Sequence, residues 1–157
     1  MKPSVYVETS VISYLTGRPS RDVIVAGRQA LTIEWWGTCR KRFDIFVSAL
    51  IVTEAEDGDA TAVQRRLAVI KGIPALSVSD EAKALASQMV ADGPMPKEYP
   101  EDALHIAVCA LNGIDYLVTW NCTHLANATI RRQVERFLEK AGFACPVICT
   151  PEELMEE

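Results

Sequence analysis

Three polar side chains lie at positions that would bring them together at one edge of a sheet. Glu8 directly follows a short apolar run, and Asn121 follows a second one. Asp102 falls in the first turn of a predicted helix whose remaining residues are mostly apolar. Ligands of open parallel sheets bind beyond the carboxyl ends of the strands, so Glu8 and Asn121 are expected at the same edge, where Asp102 could join them.

Carboxylates gathered in this way have a definite chemistry. Hard divalent cations such as Mg²⁺ bind oxygen ligands from a few carboxylates, together with water and substrate phosphates. Such a cation can generate a nucleophile from water and stabilise the charge that develops in phosphodiester hydrolysis. Each residue also has an ordinary explanation: Asp102 could cap a helix dipole, Asn121 could form a turn, and Glu54 could face solvent beside Glu56 and Asp57. The spacing therefore predicts a candidate acidic site and no more.

The elements that would position these residues alternate between strand and helix, which favours a parallel sheet with helices packed on its faces. Strands are predicted at residues 4–7, 43–47, 75–78, 115–119 and 146–149. Helices are predicted from Thr9, over residues 20–42, through Glu54, over 59–69, from Ser79, over 100–112 and over 131–141. Thr9 and Ser10 are expected to cap the first helix. The predicted class is α/β, with three layers and a central parallel sheet of about four to five strands.

Length and composition narrow the class of protein. At 157 residues the chain fits one domain spanning residues 1–157, because two cores would each be too small. With 49% hydrophobic and 24% charged residues it is an ordinary globular sequence. No apolar run is long enough for a membrane span or a signal peptide, so we expect a cytoplasmic protein. The net charge of −5 argues against coating nucleic acid through bulk electrostatics but not against an enzyme that acts on it.

The cysteines indicate neither a disulfide framework nor a zinc site. Their number is odd, and no two of them form a CxxC pair. They are Cys39, Cys109, Cys122, Cys145 and Cys149. We expect reduced thiols that are mostly buried.

Four segments, in order along the chain, resemble the ordered motifs of PIN-domain proteins. They are residues 5–13 (VYVETSVIS), 48–54 (SALIVTE), 101–107 (EDALHIA) and 115–121 (DYLVTWN). The likeness is strongest to VapC-like toxins of bacterial toxin–antitoxin systems and covers nearly the whole chain. Four motifs in the right order are far more specific than any one of them.

This resemblance implies a PIN-like fold and a ribonuclease dependent on Mg²⁺ or Mn²⁺. Matched by position, Glu8, Glu54 and Asp102 correspond to three metal-binding acids, and Asn121 to a fourth catalytic position. Thr9, Ser10 and Thr119 match hydroxyl positions that orient ligands or substrate. The resemblance also implies a homodimer, an RNA substrate and a small antitoxin whose basic residue, typically Arg, would enter the acidic site.

Two departures from the family pattern affect the predicted metal site. The first acid is usually Asp, and Glu8 carries one more methylene group. The fourth position is often Asp, whereas Asn121 contributes no charge, which weakens a second metal most. We therefore expect one tightly held metal and a second that binds weakly. The departures also leave open a degenerate scaffold that binds RNA or a protein without cleavage, and, more remotely, a phosphatase.

Four further residues are candidates around the site. Arg18, just past the first helix, and His124, in the loop after Asn121, could contact phosphate. His105 lies three residues after Asp102 and is interpreted mainly as a structural histidine that could assist the site. Trp120 is expected to pack, with base stacking as the alternative.

Overall fold

The central element of the fold is a five-stranded sheet in which every strand runs parallel to its neighbours. The computed structural model describes residues 1–156. The strands are β1 (Ser4–Val7), β2 (Asp44–Ser48), β3 (Ala75–Leu76), β4 (Tyr116–Val118) and β5 (Val147–Cys149). Their spatial order is β3-β2-β1-β4-β5. The predicted α/β class and the predicted number of strands are confirmed.

Seven α-helices flank this sheet within the described residues, and a short 3-10 helix (Pro151–Leu154) follows β5. They are α1 (Thr9–Thr16), α2 (Val23–Arg42), α3 (Ala49–Ala55), α4 (Ala60–Ile70), α5 (Asp80–Asp92), α6 (Pro100–Leu111) and α7 (Ala128–Lys140). Helix α7 begins at Ala128 and not, as predicted, at residue 131. Its start is fixed by Asn127, whose side chain accepts hydrogen bonds from the backbone amides of Thr129 and Ile130 at 3.1 and 3.3 Å.

The cap of α1 is Glu8, so the prediction that Thr9 and Ser10 form the cap was wrong. Glu8 has an extended backbone, with φ −77° and ψ 155°, and its carboxylate accepts from the Ser10 amide at 3.1 Å. The strand therefore ends one residue before the helix, and Thr9 and Ser10 already lie in the first turn. Their hydroxyl groups bond to acidic side chains and not to the amides of the helix start.

The register of the sheet brings the ends of β1, β2 and β4 to one edge. Val7 pairs with Val118, so Glu8 and Thr119 are the next residues on neighbouring strands. From β1 the chain adds β2 and β3 on one side and β4 and β5 on the other. The strand order thus reverses between β1 and β4, and open α/β sheets bind ligands in the crevice at such a switch point.

Strand β1 and helix α6 form the centre of the core. Val5, Tyr6 and Val7 have no exposed area, as expected for a central parallel strand that is covered on both faces. In α6 the stretch from Ile106 to Cys109 is likewise fully buried, which fixes the helix against the sheet. None of the helices in residues 1–156 is both long and apolar enough to cross a membrane.

Candidate active site

Glu8 is a buried carboxylate held by three hydrogen-bond donors. It is 8% exposed. Its Oε1 accepts from the hydroxyls of Ser10 and Thr119, both at 2.5 Å, and its Oε2 accepts from the Ser10 amide. Because Thr119 directly follows β4, this network joins the end of β1 to the neighbouring strand. The carboxylate is therefore fixed in one orientation at the switch point.

Glu54 turns inward from α3 and does not face solvent with its acidic neighbours. Its Oε1 accepts from the Thr9 hydroxyl at 2.5 Å and lies 3.0 Å from Nε2 of His105. The side chain retains 28% exposure, so one side of the carboxylate remains accessible. The hydroxyls that follow Glu8 thus serve different acids, with Thr9 bonded to Glu54 and Ser10 bonded to Glu8.

A chain of buried hydrogen bonds supports Glu54 from behind. Nδ1 of His105 lies 2.7 Å from the Tyr6 hydroxyl, which lies 2.8 Å from the Ser48 hydroxyl. If His105 donates from Nε2 to Glu54, Tyr6 donates to Nδ1 and Ser48 donates to Tyr6, then every hydrogen of the chain is used. His105 is only 1% exposed, so this support is shielded from water. Its contacts match the interpretation of His105 as a structural residue that assists the site.

Asp102 and Asn121 form the other half of the site. The Asn121 amide nitrogen donates to Oδ1 of Asp102 at 3.2 Å, and its side-chain oxygen accepts from the backbone amide of His124 at 3.1 Å. Nδ1 of His124 lies 3.1 Å from Oδ2 of Asp102. These bonds join the first turn of α6 to the loop after β4. The structure thus brings Asp102 and Asn121 together at the sheet edge.

The pKa values of the site respond to these contacts. Burial alone would raise the pKa of Glu54, but the bonds and charge of His105 and the bond from Thr9 outweigh it and lower the pKa. Burial alone would lower the pKa of His105, but Glu54 and the charges of Glu8 and Asp102 raise it. Burial raises the pKa of Asp102, with the nearby charge of Glu8 adding to the effect. The acids therefore make a strongly negative environment that attracts a cation.

Within the described chain, the cluster contains no lysine or arginine, and its basic partners are the histidines His105 and His124. Among residues 1–156, no Lys or Arg forms an ion pair with Glu8, Glu54 or Asp102. Ligand atoms of Glu8, Glu54 and His105 all lie within 4.8 Å of one another. Part-buried carboxylates without a lysine or arginine partner cost free energy, and a divalent cation among them would lower that cost. The oxygen donors of this cluster fit Mg²⁺ or Mn²⁺.

Asp102 is not one of the three residues whose ligand atoms lie within 4.8 Å of one another. The third residue of that group is His105. Imidazole suits softer metals than Mg²⁺ or Mn²⁺, and Nε2 of His105 is already bonded to Glu54. The oxygens of Asp102, by contrast, are bonded to an amide and an imidazole that a cation could replace. Asp102 as a third ligand stays a prediction, and His105 is better placed to orient Glu54 than to bind the metal.

The remaining predicted residues differ in how close they lie to the acids. Thr9, Ser10 and Thr119 all bond directly to Glu8 or Glu54, and their role in substrate binding stays a prediction. Arg18 is exposed, and the structure gives its side chain no contact with the acids of the described chain; its backbone carbonyl accepts from Gln29 at 2.8 Å. Its role in substrate binding stays a prediction.

Trp120 packs inside the protein and is not available for base stacking. It is 6% exposed, and its indole nitrogen donates to the Thr32 hydroxyl at 2.7 Å. The buried ring leaves no open face on which a base could stack. Arg28 of α2 instead lies over this ring, with its guanidinium carbon 5.3 Å from the ring centre.

Sequence reasoning missed four residues around the site. Tyr6 and Ser48 support His105, while Arg28 and Tyr99 flank the loop that carries Asn121. No local pattern marks them, because Tyr6 and His105 are separated by 99 positions in the chain. The one available signal was that Tyr6 places a hydroxyl between two valines of the central strand.

Comparison with known proteins supports the fold. No protein-family model matches this chain, and no curated protein matches its sequence. Among solved structures, it is similar to VapC20 of Mycobacterium tuberculosis, a toxin that cleaves the sarcin-ricin loop. The match has a TM-score of 0.54 and 18% sequence identity, and it covers 73% of this chain and 87% of that one. At this identity the likeness establishes a shared fold, and the PIN-like architecture implied by the sequence motifs is confirmed.

Proposed function

We propose that this protein is a metal-dependent endoribonuclease that hydrolyses structured RNA as the toxin of a toxin–antitoxin pair in the cytoplasm. The observation that carries the proposal is the convergence of Glu8 and Glu54, with Asp102 nearby, at the switch point of the sheet without a Lys or Arg counter-charge. The sequence motifs and the shared fold with an RNA-cleaving toxin support the same activity.

The three acids would hold the cation, which we propose to be Mg²⁺ or Mn²⁺. When bound, the ion supplies the positive charge that activates water and offsets the charge of the phosphodiester group. Ser10 and Thr119 keep the Glu8 carboxylate in place, and Thr9 and His105 do the same for Glu54. Holding the acids in advance lowers the reorganisation needed when substrate binds.

Asn121 has a separate proposed role. Its amide already bonds to Asp102, and its side-chain oxygen is fixed by the backbone amide of His124. A rigid amide beside the acids can orient the attacking water without adding negative charge. Because Asn121 is neutral, the site carries one charge fewer than a four-acid version, which favours one tightly bound ion and a second that binds weakly.

The negative charge of the acidic site is the basis for the proposed contact with an antitoxin. A negative site with no lysine or arginine of its own would accept the guanidinium of an Arg from a small antitoxin, which would then exclude the metal. A homodimer is part of the same proposal, since it is implied by the resemblance to VapC-like toxins. Arg18 and His124 are proposed to contact the phosphates of the RNA substrate.

Cleavage of RNA by purified protein tests the proposal. The wild type should cleave structured RNA with Mg²⁺ or Mn²⁺ and lose activity in EDTA. Asp102→Asn should lose roughly a hundredfold or more of the activity, as the loss of a positioned charge typically does. Asp92→Asn, at the exposed end of α5, is the matched control and should retain activity.

Two outcomes would count against the proposal. Equal cleavage by Asp102→Asn would assign the activity to another site or to a contaminant. A folded wild type that cleaves no RNA with either metal, but binds RNA or a partner, would identify a degenerate scaffold instead.

A further inference from the structure

We propose that an unpaired segment of the substrate binds along the loop of residues 119–127, with one base on the ring of Tyr99 and a backbone phosphate at Arg28. This inference rests on the proposed function and assigns two side chains outside the acidic cluster to binding of the RNA. Tyr99 contacts His124, and Arg28 contacts Trp120 and Cys122, so both lie against the loop that carries Asn121.

Tyr99 provides an exposed aromatic surface at the rim of the acidic cluster. It is 50% exposed and is the one aromatic residue among the large exposed apolar side chains of the described residues. Its ring lies 4.2 Å from that of His124 at an interplanar angle of 34°. One side of the ring is thus supported by a second aromatic group while the rest remains in solvent. Such a platform suits stacking of a nucleobase.

Two hydrogen bonds connect Tyr99 and His124, which form the platform, to Asp102. The Tyr99 carbonyl accepts from the Asp102 amide at 3.2 Å, and His124 bonds to the Asp102 carboxylate at 3.1 Å. A base on Tyr99 would therefore lie beside the residues proposed to act on the backbone.

Arg28 provides a cation on the other part of the loop. It is half-buried, stands over the Trp120 ring, and has Nη2 at 3.7 Å from Sγ of Cys122. Within residues 1–156 it forms no ion pair with a carboxylate. A guanidinium that is held over an aromatic ring but lacks an anion retains its donors for a phosphate.

The charge of the molecule explains why such contacts are needed. The chain carries a net charge of −5, and the acidic cluster repels the phosphates it must act on. Non-specific attraction, which dominates many nucleic-acid complexes, is therefore weak here. Stacking does not depend on net charge and tolerates any base. A single well-placed cation offsets the negative potential that the phosphate meets near the acids.

Binding of a short fluorescein-labelled oligouridylate, followed by fluorescence anisotropy in EDTA, tests the platform. Tyr99→Leu keeps an apolar side chain but removes the ring, and it should weaken binding by about tenfold. Tyr99→Phe retains the stacking surface and should bind within about twofold of the wild type. In cleavage assays the loss should appear in KM and not in kcat.

Arg28→Ala tests the phosphate contact in the same assay. It should weaken binding and reduce the slope of log affinity against log salt by about one. Arg132→Ala, exposed on α7, is the matched control and should leave both quantities unchanged.

The outcomes separate this inference from the proposed function. A wild type that cleaves RNA while Tyr99→Leu and Arg28→Ala bind and cleave equally well would overturn the inference alone. Binding of a fully paired duplex as tightly as of the oligouridylate would overturn it as well. A folded wild type that neither binds nor cleaves RNA would overturn both.

Discussion

At the residue scale, the orientation of each acid depends on side chains that are distant in the sequence. Glu8 is bonded to Thr119 across 111 positions, and Glu54 is bonded to His105 across 51. The acids themselves could be named from their sequence motifs, with Glu8 directly after a strand and Asp102 in the first turn of a helix. Their supports could not, because a hydroxyl in a strand carries no sign of what it will contact once the sheet forms.

The hydroxyl of Tyr6 gives a test at this scale. Tyr6→Phe leaves Nδ1 of His105 and the hydroxyl of Ser48 buried without their shared partner. An unsatisfied buried polar group costs about 1–3 kcal/mol, so the free energy of unfolding should fall by that amount in urea denaturation. The affinity for Mn²⁺, measured by calorimetry, should fall as well because Glu54 loses its support.

Tyr116→Phe is the control for that substitution. Tyr116 is also part of the sheet, packs against Phe43 at a ring distance of 5.9 Å, and its hydroxyl has no hydrogen bond to any residue in 1–156. Its variant should match the wild type in both measurements. Equal stability and Mn²⁺ affinity of the two variants would show that the buried chain behind Glu54 has no role.

At the element scale, the alternation of strand and helix could be predicted from the sequence. The residues at which the elements begin could be predicted less well. The polar-to-apolar change after Asp59 and Ser79 marks two helices correctly, because each side chain caps its helix. The start of α7 was placed too late because Asn127 lies in a polar stretch in which several residues could cap. The strand order β3-β2-β1-β4-β5 depends on long-range packing that periodicity does not record.

The cap of α7 provides a prediction about both stability and the site. Asn127→Ala removes four hydrogen bonds: two from helix amides, one from the Thr129 hydroxyl at 2.7 Å and a weaker one to the carbonyl of Cys122 at 3.5 Å. Loss of such a cap costs about 1 kcal/mol, which should appear in chemical denaturation. Gln133→Ala, exposed within the same helix, should change the unfolding free energy by less than about 0.5 kcal/mol. An unchanged stability of Asn127→Ala would contradict the capping role.

At the scale of the whole molecule, one continuous core holds the sheet and determines how the thiols behave. Composition and cysteine spacing were enough to predict free, mostly buried cysteines, and all five are free in the structure, three of them buried. Burial raises the pKa of Cys39 and Cys145 to about 11 and that of Cys149 to about 12. Which thiol stays accessible could not be predicted, since it depends on the loop around Cys122.

The thiols yield a prediction about reactivity and pH. In the folded protein at pH 8 the buried thiols should react slowly with a disulfide reagent, with half-buried Cys122 reacting first; all five should react at once in denaturant. Because the folded pKa values are raised, the unfolded chain ionises first as the pH rises. Stability should therefore fall above about pH 9, where unfolded thiols lose their protons. Rapid reaction of all five thiols in the native state would contradict the described core.

Anomalous diffraction from a crystal soaked in Mn²⁺ tests the account of the acidic site most directly. We predict one strong peak within about 2.5 Å of carboxylate oxygens of Glu8 and Glu54, with Asp102 turned away from His124 towards the ion. Any second peak should be weak, because Asn121 adds no charge. The absence of a peak among these three acids at millimolar Mn²⁺, or a single peak held by other residues, would contradict the proposed metal-dependent nuclease.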